Sequence, residues 1–193
     1  FFYRHIIMTG IISQNITRDS GLIKVTAGAS NTPFFFARRG TSGCSGDACN
    51  NNFSDNTYVK TPFNNSVVDS NSCYDASNYR FTPNVAGDYF VFTTVDISGG
   101  TVDRLNFTQV QIRKNGTVTH GAYYNGNDQS SGYDRDYRYP TQINAIITMN
   151  GTSDYLEVYM KADESASTPW LIGGTSGGYG NYNCTFFGAY KLA

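Results

Sequence analysis

One short motif in this 193-residue chain has the spacing of a hydrolase nucleophile. Residues 174–178, GTSGG, match the G-x-S-x-G turn that exposes a catalytic serine. That turn must follow a strand, begin a helix and precede a histidine. Both histidines, His5 and His120, come before it, and glycine, serine and tyrosine surround it. The motif is therefore interpreted as a loop, His120 as a surface or interface residue, and no catalytic residue is predicted.

Four cysteines could bind a metal or form disulfides. Cys44 and Cys49 share the loop GTSGCSGDACNNN, but their spacing is not C-x-x-C and both histidines are distant in sequence, which argues against zinc. In an oxidising environment Cys44 and Cys49 could close a small disulfide ring, and two free thiols are the alternative. Cys73 and Cys184 are interpreted as small apolar residues in or beside strands.

Paired carboxylates and exposed rings are the remaining candidates for a site. Asp134 and Asp136 could hold calcium, but their spacing is that of no known calcium loop, so no metal or other cofactor is predicted. Tyrosine, arginine and tryptophan make good contact anchors for proteins or glycans. The candidate binding residues are Tyr123, Tyr124, Tyr133, Arg135, Tyr137 and Trp170, and Trp170 is predicted to lie in the loop STPWLIGG. The alternative is that these tyrosines only pack against neighbours in an assembly.

Charge and hydropathy exclude two classes of partner. The net charge of −1 provides neither a basic field for nucleic acid nor a polybasic patch for anionic lipid. The sequence contains no run of about 18 apolar residues, so no membrane insertion is predicted. Only 15% of the residues are charged, and a polar, uncharged, aromatic-rich surface is typical of an extracellular particle or an adhesive protein.

Strands must position these residues, because no helical pattern is found and a period of two recurs between turn residues. Strands are predicted over residues 33–38, 58–61, 66–69, 81–83, 87–97, 106–114, 118–124, 142–149, 155–161 and 184–192. The Asn-Gly pairs at 115–116 and 150–151 predict two hairpins. The strand after the second pair has two possible inward faces. One consists of Leu156, Val158 and Met160, and the other of Tyr155, Glu157 and Tyr159.

The chain is predicted to be one β domain, residues 33–193, after an N-terminal extension, residues 1–32. The extension is polar and poor in aromatics between residues 9 and 32, and residues 1–7 could be non-native. A local first strand over GLIKV is the alternative for the extension.

Residues 63–92, FNNSVVDSNSCYDASNYRFTPNVAGDYFVF, resemble the signature of the C1q domain, which shares the tumour-necrosis-factor-like (TNF-like) jelly roll. The matching positions are Phe63, Asp69, Tyr74, Phe81, Gly87 and Tyr89. The chain departs at Val91 and Thr93, where the signature has aromatics. FFFA near residue 34 and TFFGAYKL at the end resemble the opening and closing strands. The resemblance implies an all-β, two-sheet antiparallel jelly-roll sandwich.

The strand beginning at Gly87 has rings on both sides. Successive residues of a strand point to opposite faces, so Tyr89 cannot share a face with Phe90 and Phe92. Both faces are therefore too apolar for open water. The resemblance implies that a neighbouring subunit of a homotrimer covers one of them. The residues assigned to the core or to the trimer interface are Tyr74, Phe81, Gly87, Tyr89, Phe90, Phe92 and Phe187.

The resemblance also carries an expectation of function. QNITRDSGLIK, RKNGT and FGAYKL look most like C1q-like structural proteins of tailed marine phages. This implies a non-enzymatic virion-surface protein, the trimeric head of a fibre or decoration protein. It would contact other virion proteins through its N-terminal extension and bind a host cell-surface glycan or protein. A secreted C1q/TNF-like ligand or lectin of a cellular organism is the alternative. A jelly-roll hydrolase would need paired inward carboxylates, whereas most acidic residues here fall in turns.

Overall fold

The computed structural model describes residues 31–40, 51–99, 105–126, 138–165, 168–172 and 184–192. Turn residues divide this part of the chain into short and long strands. These are β1 (Phe34–Arg38), β2 (Asn51–Asn52), β3 (Val59–Lys60), β4 (Asn65–Asp69), β5 (Tyr74–Asp75), β6 (Arg80–Phe81), β7 (Gly87–Ser98), β8 (Leu105–Lys114), β9 (Thr117–Asn125), β10 (Arg138–Met149), β11 (Leu156–Glu164), β12 (Trp170–Leu171) and β13 (Phe186–Lys191). Within these residues, no helix has the length and apolar character needed to cross a membrane.

The strands form two antiparallel sheets, and the predicted all-β sandwich is confirmed. Sheet A runs β4–β1–β13–β7–β10, and β12 continues beside β7 past the end of β13, with β2 next to it. Sheet B runs β5–β6–β11–β8–β9, and β3 also pairs with β11. All ten predicted long or short strands correspond to observed ones. The two-residue strands β2, β5 and β12 were not predicted.

The core lies between the sheets and is built from the inward residues of each strand. On β7, Tyr89, Val91 and Thr93 have no exposed surface, whereas Phe90 and Phe92 lie half-buried on the opposite side. On β11 the buried apolar set is the one that begins at Leu156, so the first of the two alternatives is correct. A period of two along the sequence thus becomes two chemically different faces.

Aromatic rings from distant strands stack at the centre of the core. The Phe35 ring stacks on Phe81 with centroids 4.4 Å apart and on Tyr74 at 4.7 Å, and meets Phe187 edge-on at 4.9 Å. Tyr74 also donates its hydroxyl hydrogen bond to the Phe63 carbonyl, and burial raises the pKa of that hydroxyl. Aromatic pairs of this geometry contribute about 0.5–1.5 kcal/mol beyond the burial of their area.

The strand β7 begins at a position that requires glycine. Gly87 has a φ of +147°, a conformation that L side chains rarely adopt, and an added Cβ would lie 2.8 Å from Lys191 Cε. The preceding strand ends before Pro83, which cannot donate a ladder hydrogen bond.

Of the two predicted hairpins, one is confirmed and one is wrong. Asn115 and Gly116 join β8 to β9, which pair with each other. Asn150 and Gly151 instead connect β10 in sheet A to β11 in sheet B. The Asn150 side-chain oxygen accepts hydrogen bonds from three successive backbone N–H groups, at residues 152–154, each at 2.9–3.0 Å. These bonds stabilise a loop that crosses between the sheets in place of a two-residue turn.

Sheet B carries a buried carboxylate on its outward side. Glu157 is 3% exposed, and its Oε1 lies 2.8 Å from both Lys60 Nζ and Arg80 Nη2. Burial opposes ionisation of Glu157, but the hydrogen bonds from Lys60 and Arg80 outweigh it and lower the pKa.

Replacement of Glu157 by glutamine is expected to destabilise the fold by about 1–3 kcal/mol at pH 7, because two cations lose their shared partner. A carboxylate whose pKa is lowered by folding stabilises above its unfolded pKa of about 4.3, and the effect is lost as pH falls through the folded value. The difference between parent and E157Q should therefore shrink below pH 4 in urea unfolding. The exposed Asp88→Asn is the control, and a difference independent of pH would contradict this assignment.

Candidate functional site

The outward side of sheet A carries a continuous group of rings, here called the aromatic face. Its members are Phe36, Phe90, Phe92, Phe186 and Tyr190. The Phe90 and Tyr190 centroids are 5.5 Å apart, and those of Phe36 and Phe186 are 5.7 Å apart. Phe92 lies at the centre, with neighbouring centroids at 6.1–6.3 Å. The rings thus form one apolar surface contributed by three strands.

Gly188 allows these rings to meet. In the ladder it stands between Phe36 on β1 and Phe92 on β7. A Cβ on Gly188 would lie 2.4 Å from Phe92 Cζ, so the Phe92 ring occupies the space above the glycine. Without a side chain at this position, Phe36 and Phe92 approach each other across β13, with centroids 6.3 Å apart. The glycine that follows an aromatic in FGAYKL was a sequence signal for this contact.

The surroundings of the aromatic face are mainly apolar, and the charged residues on this side of sheet A include Arg38, the ladder partner of Phe186, and Asp88, two residues before Phe90. Phe34, Val68 and Tyr190 remain 36–40% exposed and line a concave region of about 440 Å³ together with Phe92. Ile146, opposite Phe90 on β10, is 61% exposed. The other exposed residues of β10 are uncharged: Pro140, Gln142, Asn144 and Thr148. A surface of this kind is typical of an interface with another protein.

The residues predicted for the core or the trimer interface separate into two groups. Tyr74, Phe81, Tyr89 and Phe187 point into the core, and burial raises the pKa of Tyr89 to about 12. Phe90 and Phe92 point outward. Sequence reasoning missed Phe36, Phe186 and Tyr190 as partners of this outward pair, because they are far away along the chain.

The candidate receptor residues are not brought together in the described part of the chain. Tyr123 is 55% exposed on the outward side of β9, whereas Tyr124 stacks on Tyr139 with centroids 3.7 Å apart. Trp170 does not lie in a loop as predicted; it is half-buried on β12, paired with Asn52 and Ser98. Its backbone is hydrogen-bonded into sheet A, and this pairing overrides the turn-rich composition around it. Tyr133, Arg135 and Tyr137 lie outside the described residues.

The other candidate sites fall largely outside the described residues, namely Cys44, Cys49, Asp134, Asp136 and residues 174–178. Within the described ranges, no group of three His, Cys, Asp or Glu side chains could hold a metal ion. Cys73 is buried, and Cys184 accepts a hydrogen bond from Arg138 Nη2 at 3.1 Å. Burial raises the pKa of both thiols. His120 is exposed on β9.

Three buried carboxylates, those of Asp96, Asp154 and Glu157, are held by ion pairs. Asp96 pairs with Arg138, and Asp154 lies 2.8 Å from Lys114 Nζ. Hydrogen bonds from Lys114 and Asn115 lower the pKa of Asp154 to about 2. A general acid needs the opposite shift, toward neutral pH. Asp154 and Glu157 therefore suit structural roles better than acid–base chemistry.

The two sheets and their strand order define a C1q/TNF-like jelly roll. Murine APRIL superposes with a TM-score of 0.53 at 12% identity, over 83% of this chain and 98% of that one. The Eiger TNF of S. frugiperda superposes with a TM-score of 0.52 at 13% identity, over 83% and 94%. The globular domain of zebrafish complement 1qA has 14% identity and a TM-score of 0.49, over 84% and 98%.

The likenesses to APRIL and Eiger TNF confirm the predicted fold. At 12–13% identity they show the fold alone, and the function of this chain must be argued from its own residues. No protein-family model matches the chain, and no curated protein matches it in sequence.

Proposed function

We propose that this protein is a non-enzymatic adhesion module that acts as a homotrimer. The observation that carries the proposal is the aromatic face of sheet A. Its central ring, Phe92, contacts three other rings, and uncharged residues of β10 flank it. Closing this face against further copies of the chain would contribute about 2.5 kcal/mol for each ~100 Å² of apolar surface covered.

A closed ring of three copies is proposed because of the C1q/TNF-like fold. The face is made by one sheet, and its edge strand β10 presents uncharged side chains beside it. Rotation about a threefold axis would place the aromatic face of each copy against its neighbours and leave no such surface in water. An interface of standard size covers about 800 Å² of each partner.

In the proposed role the trimer stands on a virion surface, as the head of a tailed-phage fibre or decoration protein. Residues 1–32 would contact other virion proteins, and the jelly roll would bind a host cell-surface glycan or protein. Three copies of a weak site on one rigid head bind a multivalent surface with an avidity well above the affinity of a single site. Such a role requires neither a catalytic residue nor a cofactor.

Light scattering on the purified chain at micromolar concentration tests the assembly. We expect a mass three times the chain mass of 21.3 kDa. A stable, well-folded monomer at this concentration would overturn the trimer. The genes around the coding sequence test the virion role: capsid, portal or baseplate genes would support it, and a secretion operon would favour the secreted ligand or lectin.

A further inference from the structure

The outward side of sheet B contains a cleft that a larger side chain could fill without a clash. It has a volume of about 200 Å³ and lies between Tyr58 and Tyr123, over β8 and β9. In the ladder Gln109 faces Tyr123, and Gln111 faces Gly121, which has no side chain to fill the space. A Cβ added to Gly121 would meet its nearest atom at 3.6 Å, an ordinary contact. The glycine therefore keeps the cleft open without relieving a clash.

The amides in this cleft are held in place by hydrogen bonds. The Tyr58 hydroxyl donates to Gln109 Oε1 at 2.6 Å and accepts from Gln111 Nε2 at 2.7 Å. Gln111 Oε1 in turn accepts from Arg113 Nε and Nη2 at 3.1 and 2.9 Å. Gln109 Nε2 makes no hydrogen bond to the described residues. It is a donor of fixed orientation at the cleft, available to a ligand.

Two cations stand beside the cleft, Lys161 and Arg113. Lys161 is the ladder partner of Gln109, and its Nζ lies 5.4 Å from the centroids of both Tyr58 and Phe107. Arg113 lies over the Tyr159 ring at 4.0 Å. Ion pairs in the described part of the chain involve other cations, namely Lys60, Arg80, Lys114 and Arg138. On the same side of sheet B, Glu157 faces Arg113 but is already paired with Lys60 and Arg80, and Asp163 follows two residues after Lys161. The four cations on this side, Lys60, Arg80, Arg113 and Lys161, outnumber the two carboxylates, so the field around the cleft is net positive.

From this combination we infer that the cleft binds a saccharide that carries an anionic group, a carboxylate or a sulfate. The inference rests on the proposed adhesive function and names its ligand class. Tyr123 and Tyr58 offer ring surface to a sugar, Gln109 Nε2 offers a hydrogen bond to a hydroxyl, and Lys161 offers charge to the anion. The small cleft gives a weak single site, which three copies would multiply.

Calorimetry on the full chain tests the site with three probes: polygalacturonate oligosaccharides, dextran sulfate fragments and neutral dextran. We expect binding of at least one anionic probe, weakened several-fold by raising the salt concentration, and no binding of neutral dextran. Binding of one anionic probe and not the other identifies the group as carboxylate or sulfate. Absence of binding to both, or equal binding of the neutral probe, would overturn the inference.

Two substitutions locate the site. Lys161→Gln removes the charge, and Gly121→Val fills the cleft; each is expected to weaken binding at least tenfold. Thr117→Val, also exposed on β9 but outside the cleft, should bind as the parent does. Thermal unfolding verifies that each variant is folded, and unchanged binding by both folded variants would overturn the site.

Light scattering of the same samples separates this inference from the trimer. A trimer that binds no anionic saccharide overturns the cleft assignment and leaves the assembly standing. A monomer that binds the saccharide through Lys161 and Gly121 overturns the assembly and supports the cleft.

Discussion

Replacing Phe92 with glutamate is expected to convert the proposed trimer into a folded monomer. Phe92 lies at the centre of the aromatic face, above Gly188, where the neighbouring copy would cover it. Each closed interface would then bury a carboxylate, which costs several kcal/mol without a partner. The dissociation constant of the assembly should rise more than 100-fold. Light scattering over a concentration series measures the change.

The control for Phe92→Glu is Thr117→Glu, which places the same charge on an exposed position of sheet B. We expect this control to remain trimeric. Circular dichroism should show the β-sheet spectrum for both variants, because the Phe92 side chain points away from the core. A trimeric Phe92→Glu protein would show that the copies meet through another surface.

The largest loss of stability is expected from Phe187→Ala. The Phe187 ring has no exposed surface and contacts the rings of Phe35, Phe63 and Tyr74, with centroids 4.9–6.3 Å away. Its removal leaves a cavity between the sheets and should cost about 3–5 kcal/mol. For a domain of this size the melting temperature should fall by roughly 10 °C or more.

A control variant and a mass measurement show whether the effect of Phe187→Ala is specific to the core. Val118→Ala, at a 47% exposed position, should change the stability by less than about 0.5 kcal/mol. All variants are compared at one protein concentration, because assembly itself contributes to the measured stability. Phe187 points inward, so the folded variant should keep the mass of the parent. A loss below 1 kcal/mol would show that the core tolerates the missing ring.

Local signals were sufficient to predict most of the strands and the alternation of side chains along them. Along β7 the alternation from Tyr89 to Thr93 is visible in the sequence, and burial follows it because a strand turns successive side chains to opposite sides. The turn at Asn115-Gly116 was also predictable, because the geometry of such a turn depends on two neighbouring residues. The Asn150-Gly151 pair has the same composition, yet side-chain hydrogen bonds within the loop lead its chain to the other sheet.

The sequence by itself therefore determined most of the strands, the alternation of side chains along them, and that β7 has rings on both sides. Only the tertiary structure decided which rings share the aromatic face, because Phe36, Phe92 and Gly188 meet through ladder pairing between distant parts of the chain. The same holds for Tyr58, Gln109 and Gly121 in the cleft of sheet B. A local pattern specifies the direction of a side chain, whereas its neighbours depend on the register between strands.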